Sequence, residues 1–104
     1  MNSCNFIGRV ATDIEVRQTQ SGKSVLSFQF AVDSGYGENK STDFFTVILW
    51  NEYAESMGKI LKKGKQLGIS GEVHIRDYED KNNEKKRSVE ITNANITFCG
   101  KKED

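Results

Sequence analysis

The stretch Asp43-Phe44-Phe45-Thr46-Val47-Ile48-Leu49-Trp50 (residues 43–50) decides how the rest of the chain is read. Side chains of a β-strand alternate between its two faces. Phe45, Val47 and Leu49 therefore share one face, and Phe44, Thr46, Ile48 and Trp50 share the other. If the aliphatic set faces a core, two large rings look outward. They are six residues apart, or roughly 20 Å at about 3.3 Å per residue.

The same period of two runs on either side of this segment. In 24–33 the residues Leu26, Phe28, Phe30 and Val32 share a face, and in 66–78 so do Leu67, Ile69, Gly71, Val73 and Ile75. A last strand over 86–98 starts in phase with Val89 and Ile91 and continues out of phase with Ala94, Ile96 and Phe98. One extra residue near Asn93 restores the alternation, which predicts a β-bulge there. A first strand over 3–10 is expected, with Gly8 marking a bend. Between the third and fourth of these strands, Ala54, Met57 and Leu61 repeat at helical spacing. Asn51 is the expected N-cap and Gly64 the expected left-handed stop, so a helix is predicted over 52–63. The polar gaps at 35–41 and 80–84 read as hairpin loops, and Ser21-Gly22-Lys23 as a turn.

This order implies an all-β OB-fold, a five-stranded Greek-key barrel with one helix between the third and fourth strands. The 104 residues suit one domain, taken as 1–100, followed by a short charged tail at 101–104. There is no proline and no Gly/Ser-rich run to mark a linker. The longest apolar runs are about five residues against roughly 20 for a membrane span. No charged start with an apolar stretch opens the chain, so cytoplasmic residence is expected.

Composition narrows the chemistry. Lys plus Arg is 15 and Asp plus Glu is 15, which argues against nucleic-acid binding through bulk charge. Cys4 and Cys99 lie near opposite ends without ligand-spaced partners and are expected as reduced thiols. With a single histidine, His74, no metal site and no cofactor are expected. The glycines at 64, 68 and 71 lack the Lys-Ser/Thr sequel of a phosphate loop. Asp77, Glu79 and Asp80 read as a hairpin surface rather than an acid pair. No catalytic activity is expected.

The outward residues carry a different chemistry. Phe44 and Trp50 on one strand, and His74, Arg76 and Tyr78 on another, place aromatic rings beside cations. Such a surface can stack bases, at about 1–3 kcal/mol each. The competing reading is that outward rings cover a subunit interface or the underside of a loop. Lysines gather at 59–65 and cations at 81–87. Either run serves as a phosphate contact only if the fold brings it beside the rings.

Taken in order, Phe6-Ile7-Gly8-Arg9-Val10, Asp13-Ile14-Glu15-Val16-Arg17, Ser21-Gly22-Lys23, Phe30-Ala31-Val32, Thr42-Asp43-Phe44, Leu49-Trp50, Ala54-Glu55, Leu61-Lys62-Lys63-Gly64, Gly71-Glu72-Val73 and Arg76-Asp77-Tyr78-Glu79-Asp80 resemble the bacterial and phage single-stranded DNA-binding proteins through nearly the whole chain. The resemblance implies an OB-fold assembled as a homotetramer, with a dimer as the alternative. It implies stacking residues at Tyr36, Phe44, Trp50 and Tyr78, and phosphate contacts at Arg17, Lys62, Lys63 and Arg76. The implied function is sequence-tolerant binding and protection of single-stranded DNA in replication, recombination and repair. Implied partners are single-stranded DNA, further copies of the chain, and replication or repair proteins, at the nucleoid. Three departures stand out. Ile14 replaces the usual proline. The sequence stops at Lys101-Lys102-Glu103-Asp104, where relatives often carry a longer tail with an acidic, hydrophobic tip. Phe45 and Cys99 are apolar where polar residues are common, which bears on the subunit interface. The alternative is an adaptor of the primosomal type, an OB-fold acting mainly through protein contacts. An RNA-binding cold-shock-like module is less compatible with the helix.

Overall fold

In the computed structural model of the chain, residues 1–99 are described. The tail expected at 101–104, and Gly100 before it, lie outside the described residues. Six strand segments and one helix follow in the order β1 (Cys4–Val10), β2 (Val16–Gln18), β3 (Ser24–Ser34), β4 (Ser41–Trp50), α1 (Asn51–Ile60), β5 (Gln66–Glu79) and β6 (Lys85–Phe98). A 3-10 turn, Gly37–Asn39, lies between β3 and β4. The sheet order β1-β5-β6-β4-β3-β2, with an added β1–β3 pairing, closes a ring of five strands. The expected five-stranded barrel is thus present, and β2 is an extra short segment lying beside β3.

The predicted alternation fills the barrel. Leu26, Phe28, Phe30, Val47, Leu49, Leu67, Ile69 and Ile91 are all buried. The bulge falls where the change of phase requires it. Ser70 pairs with Asn95 but Glu72 with Thr92, so β6 spends one residue more than β5 over that step. Asn93 takes a φ of 50°, a left-handed conformation that asparagine tolerates better than most residues. Ile91 before the bulge and Ala94 after it both point into the core.

Closure rests on a contact between β1 and β3 that only glycine permits. Arg9 pairs with Ala31 and Val10 with Phe30. A Cβ placed on Gly8 would stand 2.2 Å from the Ala31 carbonyl oxygen.

The helix differs from its sequence reading at both ends. Trp50, in extended conformation (φ −126°, ψ 153°), occupies the N-cap position, and no side chain caps the helix. Asn51 is not the cap. Its φ of 58° turns the chain sharply from β4 into α1, a geometry asparagine suits. The helix stops at Ile60 rather than at residue 63, because Leu61 turns extended to bury its side chain. Gly64 does have a positive φ of 91°, but it belongs to the turn beyond the helix. There the Lys65 N–H donates to the Lys62 carbonyl at 3.1 Å, and the Gly64 N–H donates to the Val10 carbonyl at 2.8 Å.

Ala54 and Met57 press the helix onto the barrel end, as their spacing predicts, while Leu61 is buried from the extended position just after the helix. Tyr53 adds a polar anchor: the Ile96 N–H, beyond the bulge, donates to the Tyr53 hydroxyl at 2.7 Å. Tyr53→Phe leaves that amide without its protein partner. The expected cost is about 1–2 kcal/mol, read as a lowered denaturant midpoint; an unchanged midpoint would mean that water replaces the phenol without loss.

Candidate nucleic-acid interface

One outward face runs across β3, β4, β6 and β5. On β4 it carries Phe44, Thr46, Ile48 and Trp50, and the β3 residues paired with them are Ala31, Gln29, Ser27 and Val25. Neither Ala31 nor Val25 covers the ring it pairs with. Phe44 is 58% exposed and Trp50 46%, while Val47 and Leu49 between them are buried. The neighbouring Phe45 looks the other way and stacks on Phe6, with ring centroids 4.7 Å apart. Gln29 donates to the Thr46 hydroxyl at 2.8 Å, which stiffens the strip between the two rings.

The parallel pairing of Thr46 with Glu90, and the antiparallel pairing of Glu90 with His74, carry this face onto β6 and β5. His74, Arg76 and Tyr78 stand exposed along β5. All three residues of the expected row are exposed, but the alternation itself lapses there. Ile75, expected on the core face with Leu67 and Ile69, is 62% exposed. The β5–β6 hairpin runs on past the core, and residues 74–79 are exposed on both faces. His74 Nε2 lies 3.4 Å from a Glu72 carboxylate oxygen. The Glu72 carboxyl is held below the usual glutamate range, first by a hydrogen bond from the Asn93 side chain.

Tyr36 is 92% exposed on the loop between β3 and β4. The base of that loop is tied by Asp33, which accepts from the Thr42 hydroxyl at 2.6 Å and lies 3.6 Å from Lys40 Nζ and 3.3 Å from Arg9 Nη2. The Thr42 hydrogen bond, ahead of the two cations, lowers the Asp33 pKa below the usual aspartate value. The ties are thus fully in place above that usual value and are lost only as pH falls through the lowered one.

The cations expected to touch phosphate differ in their freedom. Lys62 and Lys63 are exposed in the turn after α1, and neither pairs with a described carboxylate. Arg17 on β2 lies 3.7 Å from Glu15, with both side chains largely exposed. Arg76 is paired: its Nε lies 3.0 Å from Glu90 Oε2. In the run at 81–87, Arg87 pairs with Asp77 at 2.9 Å and Lys86 with Glu84 at 3.7 Å. Asp80 is a turn former whose Oδ1 accepts from the Asn82 and Glu84 amides.

Glu90 was not singled out from the sequence. Counting outward from the hairpin at 80–84 pairs Tyr78 with Lys86 and Arg76 with Ser88, which places Glu90 one step diagonal to Arg76. Both cysteines are free thiols, Cys4 within the core. Among the described residues no group of three His, Cys, Asp or Glu side chains gathers to hold a metal, and no helix is long and apolar enough to cross a membrane.

Comparison with known proteins places this face in context. The family model described as "Single-strand binding protein family" matches residues 1–99. A "Single-stranded DNA-binding protein 1" of Staphylococcus aureus is 34% identical over 102 residues, 94% of this chain; the chain spans 65% of that relative's length. A single-stranded DNA-binding protein of Clostridium tetani is 35% identical, with 94% of this chain and 70% of the relative covered. Among solved structures, the fold matches the Plasmodium falciparum SSB in complex with ssDNA, with a TM-score of 0.81 at 21% identity over 96% of both chains. It also matches a small single-stranded DNA-binding protein from Streptomyces coelicolor, with a TM-score of 0.79 at 23% identity over 93% of both chains. The fold is that of these OB-fold proteins, and the chain belongs to the single-strand binding protein family.

Proposed function

We propose that this protein binds and protects single-stranded DNA with little regard to sequence, in replication, recombination and repair. The single observation that supports it most is the pair of rings, Phe44 and Trp50, left uncovered on the outward face of β4 opposite Ala31 and Val25. Bases stack on those rings, and Tyr36 and Tyr78 extend the track at either side. Lys62, Lys63 and Arg17 neutralise phosphates. No bond is made or broken: binding is stacking plus counterion release. The protein works as a homotetramer, a dimer being the alternative, associated with the nucleoid in the cytoplasm and meeting replication or repair proteins there.

Stacking without a bulk positive field has a measurable consequence. With about three phosphates contacted, the slope of log affinity against log salt is about −2; a binder of about ten phosphates gives about −7. Fluorescence anisotropy of a labelled oligo-dT at two salt concentrations reads the slope. A value near the steeper limit overturns the stacking-led mechanism. Micromolar or weaker binding at physiological salt favours the adaptor reading instead.

A further inference from the structure

Glu90 is 8% exposed, one of two buried polar or charged residues described, and it lies in the middle of the face just assigned to DNA. A buried carboxylate on an anion-binding surface is costly and repels phosphate, so it requires a compensating role. Its neighbours supply one. Thr46 pairs with it from β4 and His74 from β5, and the His74 imidazole approaches Glu72. The remaining neighbour, Arg76, makes the ion pair at 3.0 Å. The same guanidinium lies over the Tyr78 ring, with Cζ 5.6 Å from its centroid. Glu90, Arg76 and Tyr78 thus form one chain across β6 and β5, ending on a ring that is 43% exposed.

We infer that Glu90 is a positioning residue: it holds Arg76 against one face of Tyr78 so that the other face is presented to a nucleobase, and Arg76 acts through the ring rather than on phosphate. The chemistry favours this division. A guanidinium is planar and weakly hydrated, and it both stacks on an aromatic face and pairs with a carboxylate. Its charge is already answered by Glu90, so phosphate would have to displace a buried partner. Fixing the ring before binding also lowers the ordering cost of stacking. This inference rests on the proposed reading of the face as a single-stranded DNA site.

The sign of one substitution separates the two roles of Arg76. Glu90→Gln keeps the shape and removes the charge. If Glu90 positions the ring, oligo-dT binding weakens by about threefold to fivefold, the size of a partly exposed cation–π contact. The salt slope then stays at the wild-type value, and the loss vanishes in a Tyr78→Ala background. If Arg76 serves phosphate, Glu90→Gln frees it, and binding tightens with a steeper slope. Tighter binding, unchanged binding, or an equal loss in the Tyr78→Ala background each overturns the inference. Should Glu90→Gln fail to fold, Arg76→Lys asks the same question. A lysine keeps the charge but not the planar stack, so the same loss and the same dependence on Tyr78 are expected, and wild-type affinity overturns the inference. Wild-type protein that does not bind oligo-dT at all defeats the DNA reading itself. Wild-type binding with an indifferent Glu90→Gln defeats only this inference.

Discussion

Replacing Phe44 and Trp50 together by alanine is expected to weaken oligo-dT binding by about 2–6 kcal/mol while leaving the protein folded. Each stacked base contributes about 1–3 kcal/mol. The two rings lie roughly 20 Å apart along one strand, with no shared partner, so their effects should add. Both rings project from the face opposite the core. The residues that pack the interior on the same strand are Val47 and Leu49, which the double variant leaves alone. The affinity loss should therefore come without a large change in thermal midpoint. A variant that unfolds would show that the rings support the subunit or its assembly; one that binds like wild type would show that bases do not stack on β4.

The largest effect on stability is expected from Gly8→Val. A Cβ there would meet the Ala31 carbonyl oxygen at 2.2 Å, the Ala31 carbonyl carbon at 3.0 Å and Phe30 Cζ at 3.1 Å. Two of the three are backbone atoms, so no rotamer change relieves the clash. The strands must separate where Arg9 and Val10 pair with Ala31 and Phe30, the only register between β1 and β3. That pairing closes the ring, and Phe30 is fully buried beside it. Overpacking of this kind costs about 3 kcal/mol or more, a drop of roughly 12–24 °C in midpoint for a chain of this size. Thermal unfolding followed by circular dichroism measures it. A midpoint within a few degrees of wild type would mean that β1 does not close on β3 in solution.

These two glycine and aromatic cases show where the sequence could be read and where it could not. Alternation placed Phe44 and Trp50 outward because each β4 residue next to them has a clear partner in the opposite phase. The Asn93 bulge was legible for the same reason: a shift of phase from Ile91 to Ala94 has one simple remedy. Gly8 could be marked only as a bend, because the carbonyl it accommodates comes from a strand more than twenty positions away. β2 escaped notice because Val16, Arg17 and Gln18 are all exposed, and three exposed residues have no alternation to detect. The helix ends were misplaced by trusting local chemistry. Asn51 is a good cap in isolation, yet the turn out of β4 uses its tolerance for a positive φ instead. Leu61 continues the helical spacing, but it reaches the core from an extended residue.

The candidate site divides the same way. Orientation was readable one strand at a time, whereas the state of each cation was not. In the sequence Lys62, Lys63 and Arg76 look alike as basic residues offered for phosphate contact. Only the register between β5 and β6 brings Glu90 to Arg76 and separates a pinned guanidinium from two open ammonium groups. The loop bearing Tyr36 is similar: Lys40 of the loop and Arg9 of β1 converge on Asp33 at the end of β3.

Trp50 is the sole tryptophan of the chain and stands on the proposed track. Its emission therefore reports directly on whether bases reach β4. Titration with oligo-dT at low salt should quench it saturably, at a concentration that Phe44→Ala raises. Unchanged Trp50 emission, with no binding detected by anisotropy under the same conditions, would contradict the account.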